Sequence, residues 1–153
     1  MVSTRRWMIS ATVSLLVGIL VGGYLFAKSQ PRSILALNRC DHCLSQADLA
    51  GLLGSAGVQR LGGHLPFVVL ETDRSLVLQY PFAARHRHYV ILPKRDIKDL
   101  GEVSPENSPD VVDLLYVARY LIEKHRLRNY RLYSNGPGGQ AVTYLHFHLV
   151  ADR

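Results

Sequence analysis

The first 31 residues contain no acidic side chain, and from Trp7 to Ala27 there is no charge of either sign. That uncharged run, WMISATVSLLVGILVGGYLFA, is as long as the ~20 residues a helix needs to cross a bilayer. Trp7 and Tyr24 stand near its ends, where amphipathic rings prefer the membrane interface. A small-x-small cleavage pattern, the mark of a removable secretory signal, is also missing. The nearest candidate, Leu25-Phe26-Ala27, places a bulky residue where a small one belongs. The Arg pair in STRRWMIS opens a twin-arginine export reading, but no supporting pattern surrounds it. The expectation is a retained single-span anchor over residues 7–27. Arg5 and Arg6 precede it while Lys28, Arg32 and Arg39 follow, so the positive-inside rule selects no orientation.

Other absences narrow the rest. No internal repeat or low-complexity segment is visible. The net charge is +6, but Arg5, Arg6 and Lys28 supply three of those charges. Beyond residue 31 fifteen basic residues face twelve acidic ones, an ordinary soluble surface. No basic run interleaved with aromatics suggests a nucleic-acid groove, so nucleic acid is not an expected partner. Cysteine occurs only in Cys40-Asp41-His42-Cys43. That CxxC spacing can clasp zinc, but a structural site requires two further ligands. A redox pair or a disulfide is the rival reading in an oxidising compartment. Leu44 follows the second cysteine where covalent haem attachment needs histidine.

What is present has room for one domain plus the anchor. Residues 1–31 are read as the transmembrane anchor with its flank and residues 32–153 as the domain, with 28–39 a short juxtamembrane linker. Ser45 suits the N-cap of a short helix, SQADLAGLLG, closed by Gly54. Strand-like runs follow at Phe67–Leu70, Ser75–Tyr80 and Tyr89–Leu92, with ETDR and PFAARHR as turns or loops. The strongest helix is Pro109–His125, capped by Ser108, with Pro109 and Asp110 in its first turn. Val111, Leu114, Leu115, Ala118, Leu121 and Ile122 recur at helical spacing and mark its core face. Tyr130–Tyr133 reads as a strand, SNGPGGQ as a Gly-rich loop, and a last strand closes the chain. One long helix and a short one against an antiparallel sheet is an α+β arrangement.

The last strand carries a histidine at alternate positions, Tyr144-Leu145-His146-Phe147-His148-Leu149. On a strand Tyr144, His146 and His148 share one face, and Leu145, Phe147 and Leu149 form the buried row. Two neighbouring imidazoles make a metal pair, a catalytic pair or a solvated polar face. The preceding loop bears on that choice. Glycine backbone N–H groups approach phosphate oxygens closely, and a neutral imidazole can attack phosphorus to give a covalent intermediate. His64, His86 and His125 read as solvated loop residues.

GGQAVTYLHFHLVADR is similar to the signature of the histidine-triad superfamily of nucleotide hydrolases and transferases. HYVILPKRDI resembles the superfamily's upstream His-to-Pro-Lys strand, and YPFAARHRHYVILPKR resembles the hexose-1-phosphate uridylyltransferase branch. The resemblance spans Cys40 to Arg153. It implies His146 as nucleophile on an α-phosphate, His148 as a phosphate-binding partner and His88 as support for the active imidazoles. It also implies Gly138, Gly139 and Gln140 as the phosphate-side loop, with Asn135 near the family's polar loop residue. Tyr144 stands where the first triad histidine would be, its hydroxyl able to bond a carbonyl or phosphate. No Asp or Asn stands at Gln79 or Tyr80, where a ribose ligand would fall. In zinc-bearing relatives two histidines complete the cysteine pair; here their positions hold Tyr144 and Asp96. No cofactor is therefore required, and zinc at Cys40 and Cys43 stays an open alternative. The implied activity is hydrolysis or nucleotidyl transfer on a nucleoside phosphate ester, anhydride or phosphoramidate. The alternative is a membrane-tethered nucleotide-binding module with relaxed chemistry. Expected partners are a nucleotide-type small molecule, the membrane and, left open, a second copy of the chain.

Overall fold

A computed structural model describes residues 4–27, 45–80 and 86–152. The uncharged N-terminal run forms helix α1, Thr4–Phe26. Its window Arg6–Phe26 has a mean hydropathy of 2.0 and none of it is buried in the protein. Length and composition suit a membrane span or a signal segment.

Helix α2, Gln46–Leu61, starts as expected: the Ser45 hydroxyl accepts the Asp48 N–H at 3.1 Å. It does not stop at Gly54 but at Gly62, whose φ of +47° ends the helix. The reason is tertiary. Gly51, Ser55, Ala56 and Val58 are buried, and that packing outweighs the ~1 kcal/mol a mid-helix glycine costs.

Five antiparallel strands follow the order β1-β2-β3-β5-β4. They are β1 Val68–Glu71, β2 Ser75–Gln79, β3 His86–Pro93, β4 Tyr130–Tyr133 and β5 Phe147–Asp152. β1 and β2 shift by one residue at their ends from the sequence reading, and two boundaries nearer the histidines move further. β3 takes in His86 and Arg87, read above as loop, because they pair with Asp152 and Ala151 of β5. β5 begins at Phe147, so Tyr144 to His146 approach it as irregular chain.

Helix α3, Ser108–His125, covers one face of the sheet. Its Leu114, Val117, Ala118 and Leu121 pack with Val77, Tyr89, Ile91, Leu145, Leu149 and Ala151. Val111 and Ile122 border this core, whereas Leu115 points outward at 48% exposure and Val117 takes the inward place. Ser108 is inside the helix and not its cap; Asn107 holds that position, its side chain accepting the Ser104 N–H at 2.7 Å. Asp113 of α3 accepts the hydroxyls of Thr72 and Ser75, tying the β1–β2 turn to the helix. On the other face Leu76 and Leu92 pack with Val58 of α2 and with Tyr144. The α+β architecture is the expected one, with the long and short helices on opposite faces of the sheet.

Candidate active site

Strand alternation places His88 on the same face of β3 as Val90 and Leu92, the α2 side of the sheet. Val90 pairs with His148 of β5, and His148 pairs on its other side with Tyr133 of β4. Four rings therefore line up across four adjacent strands. Just beyond β2, Tyr80 lies 4.9 Å from His88 between ring centroids. His88 lies 5.1 Å from His148, and His148 lies 5.0 Å from Tyr133. His146 meets His148 edge-on at 4.8 Å and 87°. Such spacings fall in the attractive range for tilted and T-shaped rings, about 0.5–1.5 kcal/mol a pair. Tyr80 and Tyr133 are 46% and 43% exposed, so both walls of the row remain open to a ligand.

Hydrogen bonds orient the imidazoles. His146 Nδ1 lies 2.7 Å from the Tyr144 carbonyl oxygen. A carbonyl only accepts, so Nδ1 carries the proton and the lone pair of the neutral ring is on Nε2. His88 Nε2 and His148 Nδ1 are 2.9 Å apart and share one proton between them. Burial pushes the pKa of both below the ordinary histidine range. For His148 the fall is to about 4, with burial the largest cause and the neighbouring His146 and His88 adding to it. At neutral pH His88 and His148 are uncharged hydrogen-bonding groups.

The irregular approach to β5 is pinned from both sides. The Thr143 N–H donates to the Ala47 carbonyl, and the Thr143 hydroxyl donates to Asp48 Oδ1 at 2.8 Å with the Ala47 carbonyl at 3.1 Å, both acceptors in the first turn of α2. The Leu145 N–H donates to the Ile97 carbonyl at 2.7 Å. Leu145 and Leu149 are fully buried and Phe147 packs beside them, so the apolar row faces α3 as expected.

Tyr144 departs from its expected role on the ligand. It is 4% exposed, and its hydroxyl donates to the Pro93 carbonyl at 2.6 Å with the Arg95 carbonyl at 3.2 Å. The phenol braces the end of β3 from inside and does not present itself to a substrate. In the preceding loop the Gly139 N–H closes a turn onto the Gly136 carbonyl at 3.0 Å. Gly138 sits at φ +83°, a conformation that favours glycine. Gly139 has no such demand: a Cβ there would meet only ordinary contacts, at 3.6 Å or more. Gln140 donates its side-chain amide to the Lys98 carbonyl at 3.2 Å, and Asn135 is half-buried at the loop's start.

The structure thus gathers His88, His146 and His148 into one cluster. It adds Tyr80, at the position where the sequence reading sought a ribose ligand, and Tyr133, which that reading missed; the parity of Tyr133 opposite the inward Leu132 was the available signal. Of the other histidines, His125 is not in a loop but ends α3, stacked on buried Tyr89 at 5.7 Å. His64 lies in a short 3-10 turn after α2. Cys40, His42 and Cys43 lie outside the described residues. Among the described residues no group of three or more His, Cys, Asp or Glu is placed to hold a metal.

Comparison with known proteins agrees with this geometry. Residues 65–153, more than half of the chain, match the family model described as scavenger mRNA decapping enzyme C-term binding. The fold resembles a HIT family hydrolase from Clostridium thermocellum, with 25% identity and a TM-score of 0.57 over 66% of this chain and 90% of that one. It also resembles a HIT family hydrolase from Legionella pneumophila, with 29% identity and a TM-score of 0.55 over 62% and 89%. A histidine triad nucleotide-binding protein from Candida albicans shares the fold, with 23% identity and a TM-score of 0.52 over 63% and 73%. The domain has the histidine-triad fold, and the chain belongs to the scavenger mRNA decapping enzyme C-terminal binding family.

Proposed function

We propose that the chain is a membrane-tethered hydrolase or nucleotidyl transferase acting at the α-phosphate of a nucleoside phosphate ester, anhydride or phosphoramidate. The observation that carries this reading is the hydrogen bond from His146 Nδ1 to the Tyr144 carbonyl, which leaves the Nε2 lone pair for attack. In the first step Nε2 bonds to phosphorus and the P–O or P–N bond to the leaving group breaks, that group taking up a proton. In the second step water, or another acceptor such as the sugar phosphate that the uridylyltransferase resemblance implies, attacks the nucleotidyl-histidine. The nucleotide then departs from Nε2. Neutral His148 hydrogen-bonds a phosphate oxygen, held by His88 through their shared proton. Backbone N–H groups of Gly138 and Gln140, together with Asn135, supply the phosphate side of the pocket, with the Gly139 N–H closing the turn that shapes it. Membership of the decapping family and the likeness to two HIT family hydrolases support a nucleotide-type substrate. The apolar length of α1 supports the tether over residues 7–27.

One observation favours the alternative of a binding module: Tyr144 is held inside by Pro93, so the first triad imidazole has no equivalent in the site. A single labelling experiment separates the two. Protein incubated with ³²P-labelled adenosine 5′-phosphoramidate and quenched in alkaline detergent, which preserves a P–N bond, should carry label on His146, and His146→Asn should abolish both label and turnover. Nucleotide binding without label on any histidine would establish the binding module instead. Label on His148 would move the nucleophile two residues along.

A further inference from the structure

The end of α1 is held against the domain. The Arg60 guanidinium of α2 lies 3.9 Å over the Tyr24 ring and donates to the Tyr24 carbonyl. Tyr24 is in the last turn of α1, at interface level if that helix crosses a bilayer. Arg60 then stands at headgroup depth, within reach of lipid phosphates. The ten residues that follow, LGGHLPFVVL, contain no Asp, Glu, Lys or Arg. Leu61, Phe67 and Val69 of this run turn outward at 52%, 58% and 46% exposure. Phe67 does so at φ +67°, a left-handed conformation rare for an aromatic residue. On α2 itself Leu49 and Leu53 are 45% and 64% exposed. At about 100° per residue they fall within about 40° of Arg60 on the helix circumference.

We propose that this surface, centred on Leu53, Leu61 and Phe67, rests in the headgroup and acyl boundary of the bilayer that α1 spans. It depends on the reading of α1 as an anchor. The occupant is lipid because Arg60, next to Leu61 and on the same helix face as Leu53, holds the last turn of α1 and so keeps this surface beside the bilayer that α1 enters. Solvated, these five large apolar side chains are exposed to water; in the boundary layer they lose that water without displacing any packed contact.

The full-length chain in phosphatidylcholine and phosphatidylglycerol vesicles tests this, using acyl chains brominated near the headgroup as quenchers. Trp7 is the only tryptophan and lies in α1, so quenching of the unmodified chain reads the anchor alone. Trp7→Phe combined with Phe67→Trp, and separately with Leu53→Trp, reads the surface. Both should show blue-shifted emission and roughly twofold or greater quenching, as expected for rings in the boundary layer. Trp7→Phe with Tyr116→Trp, on outward-facing α3 across the sheet, should stay unquenched. If Trp7 is quenched in the unmodified chain while neither the Phe67→Trp nor the Leu53→Trp variant is, the surface does not touch lipid and the anchor stands. If Trp7 itself is unquenched, the anchor reading fails and the inference with it. Leu53 is an exposed helical position, so its variant keeps the test available should Phe67→Trp fail to fold.

Discussion

At the scale of single residues, the imidazole cluster links charge to stability. Burial holds His148 near a pKa of about 4, below the 6.5 of an unfolded chain. The unfolded chain therefore binds the proton first as pH falls. The sign follows: this contribution is fully present above pH ~6.5, is lost as pH drops toward ~4, and levels off below that. His88 and His125, also lowered chiefly by burial, act in the same direction. The thermal midpoint of detergent-solubilised protein should thus fall between about pH 7.5 and about pH 4.5, and His148→Asn should flatten part of that slope. If the slope is unchanged in His148→Asn, the histidine is not the titrating group. Tyr144 gives a second residue-scale expectation. Tyr144→Phe leaves the Pro93 carbonyl without its 2.6 Å donor, which should cost about 1–3 kcal/mol in urea denaturation while nucleotide labelling of His146 persists. The histidine spacing of this site was legible in the sequence, because alternation is a local property. Tyr144 was not, because its hydroxyl answers carbonyls at the end of β3, remote in sequence.

At the scale of elements, periodicity located both helices and every strand but placed some boundaries and faces wrongly. Leu114 and Leu115 are adjacent and equally apolar, so helical spacing alone could assign either to the core. Packing under the sheet chose Leu114, 1% exposed, and left Leu115 outside. Leu114→Ala should accordingly cost about 2–5 kcal/mol and Leu115→Ala under ~0.5 kcal/mol, read from denaturation midpoints of the two variants. Equal losses would mean that α3 is rotated from the orientation described. Leu145→Asp makes the complementary case at the mouth of β5. It puts an unpaired carboxylate at a fully buried position, several kcal/mol against a stability of ~5–15 kcal/mol, and should abolish cooperative unfolding. The extension of α2 beyond Gly54 belongs here too: an intrinsic helix breaker is overridden where its neighbours Ser55, Ala56 and Val58 are buried.

At the scale of the whole molecule, among the described residues both cores are built from positions beyond α2's start, and α1 contributes to neither. We expect removal of residues 1–31 to leave a chain that unfolds cooperatively and stays in the supernatant after carbonate extraction, with the intact chain in the pellet. A truncated chain that is insoluble in every buffer would place the domain boundary elsewhere. The sequence by itself determined the apolar span, the order of helices and strands, and the histidine motif with its glycine-rich approach. Each depends on composition or on a period of two or 3.6 residues, which neighbouring positions carry alone. The tertiary structure decided which rings meet. Tyr80 and Tyr133 flank His88 and His148 only because the strand order β2-β3-β5-β4 sets four distant segments side by side. It decided as well that Tyr144 turns inward and that Phe67 turns outward. Those outcomes follow from burial and hydrogen bonding between segments far apart in the chain, and no local pattern encodes which distant partner will be there.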